Sequence, residues 1–339
     1  MSNIEIIEEK SRFQQLLEKG EFAVTAEIGP PMSANAALVT KKAQQMKGFV
    51  DAANITDNQT AIVRMSSIAA SVLVKEAGVE PIMQMTCRDR NRIGIQSDLL
   101  GAWALGVRNI LCLSGDHQTF GNDPGAKNVY DIDSIQLVKT VADMRDNGIF
   151  LSGKPIKVPP KFFVGASTNP FADPVELQLI RLQKKIDAGA QFIQTQTIYD
   201  VERFADYMKE IRARGLHERA YIQAGVLVNK TAKSIEMTAQ VPGMIIPDKL
   251  IQQMKQVDKE AKIEAADLNL DADETKKLVQ KKVQEAGVGI ASDIIHQVRQ
   301  IEGVSGIHIM AVNWEDIVPT VVEKSGYLPR PELNGGAKV

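Results

Sequence analysis

The chain has 339 residues, 44% of them hydrophobic, with 40 Lys and Arg set against 42 Asp and Glu. That near-neutral balance recruits neither nucleic acid nor an anionic membrane. No apolar run approaches the ~18 residues of a membrane span, and Met1–Phe13 lacks the basic-then-apolar pattern of an export signal, so a cytoplasmic protein is expected. Two cysteines, Cys87 and Cys112, sit in or at the end of apolar segments and exclude a disulfide scaffold. Together with four scattered histidines they suggest no metal site.

Residues 9–19 read as a short amphipathic helix able to close the floor of a barrel. Eight short apolar runs follow: Phe22–Ile28, Val50–Thr56, Pro81–Cys87, Val107–Asp116, Lys161–Ser167, Phe192–Gln196, Ala220–Val226 and Gly306–Val312. Helical stretches separate them, and eight strand–helix units are what a (β/α)8 TIM barrel of the α/β class requires. The expected division is an N-terminal helix over 1–20, the barrel over 21–328 and a flexible tail over 329–339.

Between the strands, Ser33 is a candidate N-cap for the first barrel helix, Ser66 or Ser67 for the second with Gly78 as its stop, and Ser97 opens the third. Gly101 is expected to let that third helix pack closely. Gly115–Asp133 is a long Gly-, Asn- and Asp-rich loop of the kind that carries function. Asp173 is the candidate cap of a strong helix with Pro174 at its first position, and residues 247–303 hold two or three outer helices before the last strand.

In such barrels the chemistry sits where strands end and loops begin. Glu27, Asp57, Thr86, Asp116, Gln196 and Asn313 all fall on that rim. Glu27 ends an apolar strand and is followed by Gly-Pro-Pro, so desolvation should favour its neutral acid and suit it to proton donation, although a rim ion pair is equally compatible with the position. In Leu113-Ser114-Gly115-Asp116 the glycine permits a sharp turn and close backbone approach to a flat ligand, with Asp116 over the mouth; capping of the next turn explains the motif as well. Gln194 and Gln196 share a face of the sixth strand, where an amide can both donate to and accept from a heterocycle or satisfy buried polar neighbours. The histidines read as structural or surface groups, apart from His117, which lies beside Asp116.

Taken in order, Ala26-Glu27-Ile28-Gly29-Pro30-Pro31, Met85-Thr86-Cys87, Leu113–Asp116, the stretch Lys184–Asp200 and Ile307–Asn313 resemble the methylenetetrahydrofolate reductase family over residues 10–328. The resemblance implies a flavin across the C-terminal face of the barrel, FAD by family pattern with FMN open, and a reduced folate stacked on it. It implies Glu27 as general acid, Asp116 as the carboxylate near pterin and flavin, and Gln196 as a folate ligand. Thr56, Gln84, Leu113, Ser114, Gly115, Asp116 and Lys185 fall on flavin-contacting positions.

Several residues depart from the family pattern. Ser114 stands where an arginine is usual, Gln84 where histidine is usual, and Gln178 and Arg181 where Asp and Asn are usual. Ala166–Phe171 lacks the expected Tyr and His, and the region of Trp314 lacks an arginine. The implied electron donor is NAD(P)H or a partner iron–sulfur or flavin subunit, in a homo- or hetero-oligomer. Two other readings are a barrel kept as a scaffold subunit of a larger one-carbon complex and a flavin-free pterin methyltransferase.

Overall fold

The computed structural model describes residues 10–241 and 243–333. Eight parallel strands close into a barrel in chain order: β1 (Ala23–Ile28), β2 (Ala52–Ile55), β3 (Pro81–Thr86), β4 (Asn109–Leu113), β5 (Phe163–Thr168), β6 (Phe192–Thr197), β7 (Tyr221–Leu227) and β8 (Val304–Met310). Pairing of β1 with β8 completes the ring, with Thr25 opposite His308. The helices are α1 (Arg12–Glu18), α2 (Ala36–Met46), α3 (Ser67–Glu76), α4 (Arg92–Ala104), α5 (Ser134–Asp146), α6 (Val175–Asp187), α7 (Val201–Ala213), α8 (Ala232–Ala239), α9 (Asp248–Asp267), α10 (Ala272–Arg299) and α11 (Val318–Lys324). The TIM barrel expected from the sequence is therefore the fold, and residues 247–303 before β8 hold two helices, α9 and α10, with the shorter α8 ahead of them.

Alternation along each strand sorts the side chains into two cores. Val24, Ala26 and Ile28 of β1 face outward into the larger core shared with the helices. Ala23, Ala52, Ile82, Leu111, Phe163 and Phe192 face inward and pack with Phe13 and Leu17 of α1. The Phe13 ring meets those of Phe163 and Phe192 edge-on at 5.6 and 5.2 Å, so α1 is a plug in the floor. Burying one such ring contributes about 2–3 kcal/mol.

Above this apolar floor the interior turns polar. Asn54 and Gln194 exchange hydrogen bonds across the barrel (2.6 and 3.2 Å), Gln194 also donates to Gln223 Oε1 (2.9 Å), and Thr25 Oγ1 lies 3.1 Å from His308 Nδ1.

The helix starts depart from expectation at three points. Asn35, not Ser33, caps α2 by accepting from the Ala37 N–H, while Ser33, two residues earlier, accepts from the Asn35 N–H. α4 begins at Arg92 under an Asn91 cap, well before Ser97, and a Cβ at Gly101 would meet nothing, so that glycine serves no close packing. α6 begins after Pro174, and Asp173 pairs with Arg203 instead of capping. Ser66 does cap α3, and Gly78 follows it at φ +85°.

Of the segment 329–339 expected to be flexible, residues 329–333 are described and part of them is anchored. Arg330, its side chain 6% exposed, pairs with buried Asp51 at 2.6 Å and donates to Phe22 O, while Arg12 donates to Pro331 O. Residues 1–9 and 334–339 lie outside the described residues.

Candidate active site

The β1 exit places Glu27 on the inward face at the mouth, in phase with Ala23 and Thr25. Burial pushes its carboxyl up to about 7; a hydrogen bond from Gln59 Nε2 (3.2 Å) opposes the rise, and the negative charge of Glu315 adds to it. Desolvation of the charged form is thus the dominant cause. A carboxyl that titrates near neutrality can hold a proton and release it under working conditions.

Gln59 belongs to the loop after β2, and the next residue serves the second carboxylate. The Thr60 N–H donates to Asp116 Oδ2 at 3.0 Å. One dipeptide therefore joins Glu27 to Asp116 across the mouth. Three residues of this loop that are not glycine, Asn58, Thr60 and Ala61, have φ of 47°, 57° and 56°. Left-handed backbone at such residues is costly and persists only where neighbours over-determine it.

Those neighbours are present. Buried Arg88 chelates Asp89 (2.7 Å twice) and donates to Asp116 O and Asn58 O, tying the loops after β2, β3 and β4 together. Val63 N–H donates to Asn122 Oδ1, and a Cβ on Gly121 would fall 1.8 Å from Ala61 O. Asp57, expected on the rim, is spent on structure. Its carboxylate is buried, pairs with Arg90 at 2.6 Å and accepts from the Thr86 N–H and hydroxyl.

Asp116 itself is exposed over the mouth. Gly115 before it has φ +87°, and a Cβ there would lie 3.0 Å from Thr86 Cβ, so only glycine makes this turn without strain. Tyr130 Oη donates to Gly115 O (3.1 Å), and the Tyr130 N–H donates to Cys87 O. Leu113 is partly buried and Ser114 exposed. Thr56 and Gln84 are buried, 1% and 8% exposed. Thr56 Oγ1 has no hydrogen-bond partner among the described residues.

Gln196 lies on the opposite wall. Its Oε1 accepts from the Thr197 N–H, and the β6–β7 register shifts between Gln194 and Thr197, which interrupts the simple alternation expected there. Lys185 on α6 is 8% exposed and donates to Ser167 O at 2.5 Å; burial, helped by the charge of Arg181, lowers its ammonium to about 8. The structure thus joins Glu27 and Asp116 through one loop and leaves Gln196 and Lys185 in contacts of their own.

The remaining candidates for chemistry are inert. Burial pushes the Cys87 thiol up to about 12 and the Cys112 thiol up as well, so neither forms a thiolate readily. His308 is buried in the barrel, and desolvation lowers its imidazole to about 4. His117 bonds locally to Thr119. Among the described residues no group of three or more His, Cys, Asp or Glu could hold a metal ion, and no helix is long and apolar enough to cross a membrane.

The residues missed by sequence reasoning are Gln59, Arg88, Lys42 and Glu315. Lys42 of α2 pairs with Glu315 and donates to Gly29 O at 3.0 Å, directly beyond Glu27.

Fold and site together define a TIM-barrel enzyme with a protonatable acid and a second carboxylate at the C-terminal mouth. The methylenetetrahydrofolate reductase family model matches residues 12–326. A 5,10-methylenetetrahydrofolate reductase of Pectobacterium carotovorum is 25% identical over 257 residues, 76% of this chain and 73% of that one. The enzyme of the same name from Escherichia coli is 25% identical over 252 residues, 74% and 72% of the two chains. A solved structure, described as an uncharacterized protein from Clostridium thermocellum that binds two copies of 5-methyl-5,6,7,8-tetrahydrofolic acid, superposes with a TM-score of 0.59 at 15% identity, covering 94% of this chain and 99% of that one. The last likeness shows the fold. The chain belongs to the methylenetetrahydrofolate reductase family, a family of oxidoreductases that is generally flavin-dependent.

Proposed function

We propose that this chain reduces 5,10-methylenetetrahydrofolate to 5-methyltetrahydrofolate at the barrel mouth, with Glu27 as general acid. The observation that carries the reading is a carboxyl raised to about 7 at the end of β1, linked through Gln59-Thr60 to a second carboxylate. The methylene bridge of the folate is unreactive until a proton on one bridging nitrogen lets that C–N bond break, leaving an iminium on the other. Protonated Glu27 supplies that proton. Asp116 places negative charge beside the cation that develops, and the fixed Thr60 amide keeps its carboxylate oriented. The Gln196 amide holds the pterin.

The flavin fits the residues present. Thr56 offers a buried hydroxyl without a partner among the described residues, Gly115 a half-buried backbone turn at the mouth, and Leu113, Ser114, Gln84 and Lys185 complete the bed. When bound, flavin supplies the hydride that turns the bridge carbon into a methyl group. FAD and FMN are separated by releasing the chromophore and weighing it. NADH or NADPH oxidation by the purified chain distinguishes a nicotinamide donor from a partner iron–sulfur or flavin subunit.

The test is Glu27→Gln in the flavin-loaded protein. Flavin reduction by the donor should proceed at the wild-type rate while reoxidation by methylenetetrahydrofolate is lost. Equal loss of both half-reactions would remove the general-acid role.

A further inference from the structure

Glu315 and Lys42 lie 273 positions apart in the chain, yet they meet beside the acid. Glu315 follows Trp314 in the connection between β8 and α11, and its side chain is only 11% exposed. Its cationic partner is Lys42 of α2, 27% exposed. The ammonium is shared: it also donates to the carbonyl of Gly29, two residues after Glu27. The carboxylate lies against the same turn, since a Cβ built on Gly29 would sit 3.7 Å from Glu315 Oε1.

A buried ion pair is weak support for stability, because desolvation offsets much of the attraction. This one has a specific geometry instead. Lys42 pins the turn that ends β1, and the anionic member is the one whose field reaches Glu27. The other groups at this exit are neutral Gln59, Arg64, which donates to Pro30 O (3.0 Å), and Asp116, which is held by the Thr60 amide.

We propose that Glu315, held in place by Lys42, is a positioning residue for the acid. Lys42 fixes the Gly29 turn, and Glu315 turns a negative charge toward Glu27, adding to the burial that favours the protonated acid. Glu315 touches no reacting atom and acts through Glu27. This role rests on the reading of Glu27 as the acid.

The test is the titration of Glu27 in the purified protein, followed by carboxyl NMR on 13C-labelled glutamate and assigned by the signal missing in E27Q. In E315Q the Glu27 titration should move to lower pH, because the amide removes the negative charge that disfavours ionisation of the acid. The alkaline fall of folate reduction should move with it. In K42M, where the Glu315 charge is left uncompensated, the titration should move upward.

K42M also covers the case in which E315Q does not fold. An unmoved titration in both variants, with only a lowered melting temperature, would make the pair merely structural and overturn the proposal. That result would leave the activity loss of E27Q intact, whereas an active E27Q would remove the functional reading whatever E315Q does.

Discussion

The two ends of the barrel are built on opposite principles. At the floor, aromatic rings of α1, β5 and β6 interlock, Arg330 and Asp51 form a closed ion pair, and Glu80 accepts from the Arg12 and Phe13 amides that open α1. At the mouth, three left-handed residues that are not glycine, an exposed Asp116 and an unpartnered Thr56 hydroxyl lie together. The floor spends its residues on aromatic burial and on charge pairing. The mouth carries strain and unmet hydrogen-bonding capacity, held in place by Arg88. Chemistry needs groups that are not already satisfied, and a sealed floor is what permits a costly mouth.

That contrast breaks most visibly at Glu27. Glu27→Gln should lower folate reduction by 10²–10⁴-fold, roughly the worth of one positioned acid, in stopped-flow reoxidation. The same substitution should not weaken the fold. The folded carboxyl titrates at about 7 against an ordinary 4.5, so the native state loses stability as pH rises through that window. Calorimetry at pH 8 should find E27Q more stable than the wild type by up to about 3 kcal/mol and indistinguishable at pH 4.

Phe13→Ala should do the reverse. Loss of the plug ring should cost about 3–5 kcal/mol in urea unfolding while leaving the folate half-reaction of the folded fraction unchanged. His308 sharpens the comparison in the polar middle layer. Its imidazole titrates at about 4 instead of 6.5, so its neutral form stabilises the fold above 6.5, and that contribution is lost as pH falls toward 4. His308→Asn should flatten the acid limb of the melting profile by up to about 3 kcal/mol.

The smallest effect is expected at Gly115→Ala. Its positive φ and the 3.0 Å approach to Thr86 should cost about 1–2 kcal/mol and weaken flavin retention, read as a higher dissociation constant on dilution.

Local chemistry made the barrel legible. Each strand lies in a short apolar run, most of the runs carry a polar or acidic residue near the downstream end, and eight of them fix the class. Glu27 and Asp116 could be singled out because a strand end and a glycine turn are local features. Three helix starts were misplaced because only the backbone path decides where a helix begins: Asn35 caps α2 in place of Ser33, α4 starts under Asn91 a turn and a half before Ser97, and α6 starts after Pro174 with no side-chain cap.

The sequence by itself determined that a barrel forms, which faces of its strands are apolar, and which carboxylates stand at strand ends, since all of these follow from side-chain periodicity along a few adjacent residues. Only the tertiary structure decided that Gln59 and Thr60 join the two carboxylates, that Asp57 is consumed by Arg90, and that Lys42 and Glu315 meet beside Glu27. Barrel closure brings loops from distant strands onto one rim, and the electric field at a carboxyl is set by distance in space.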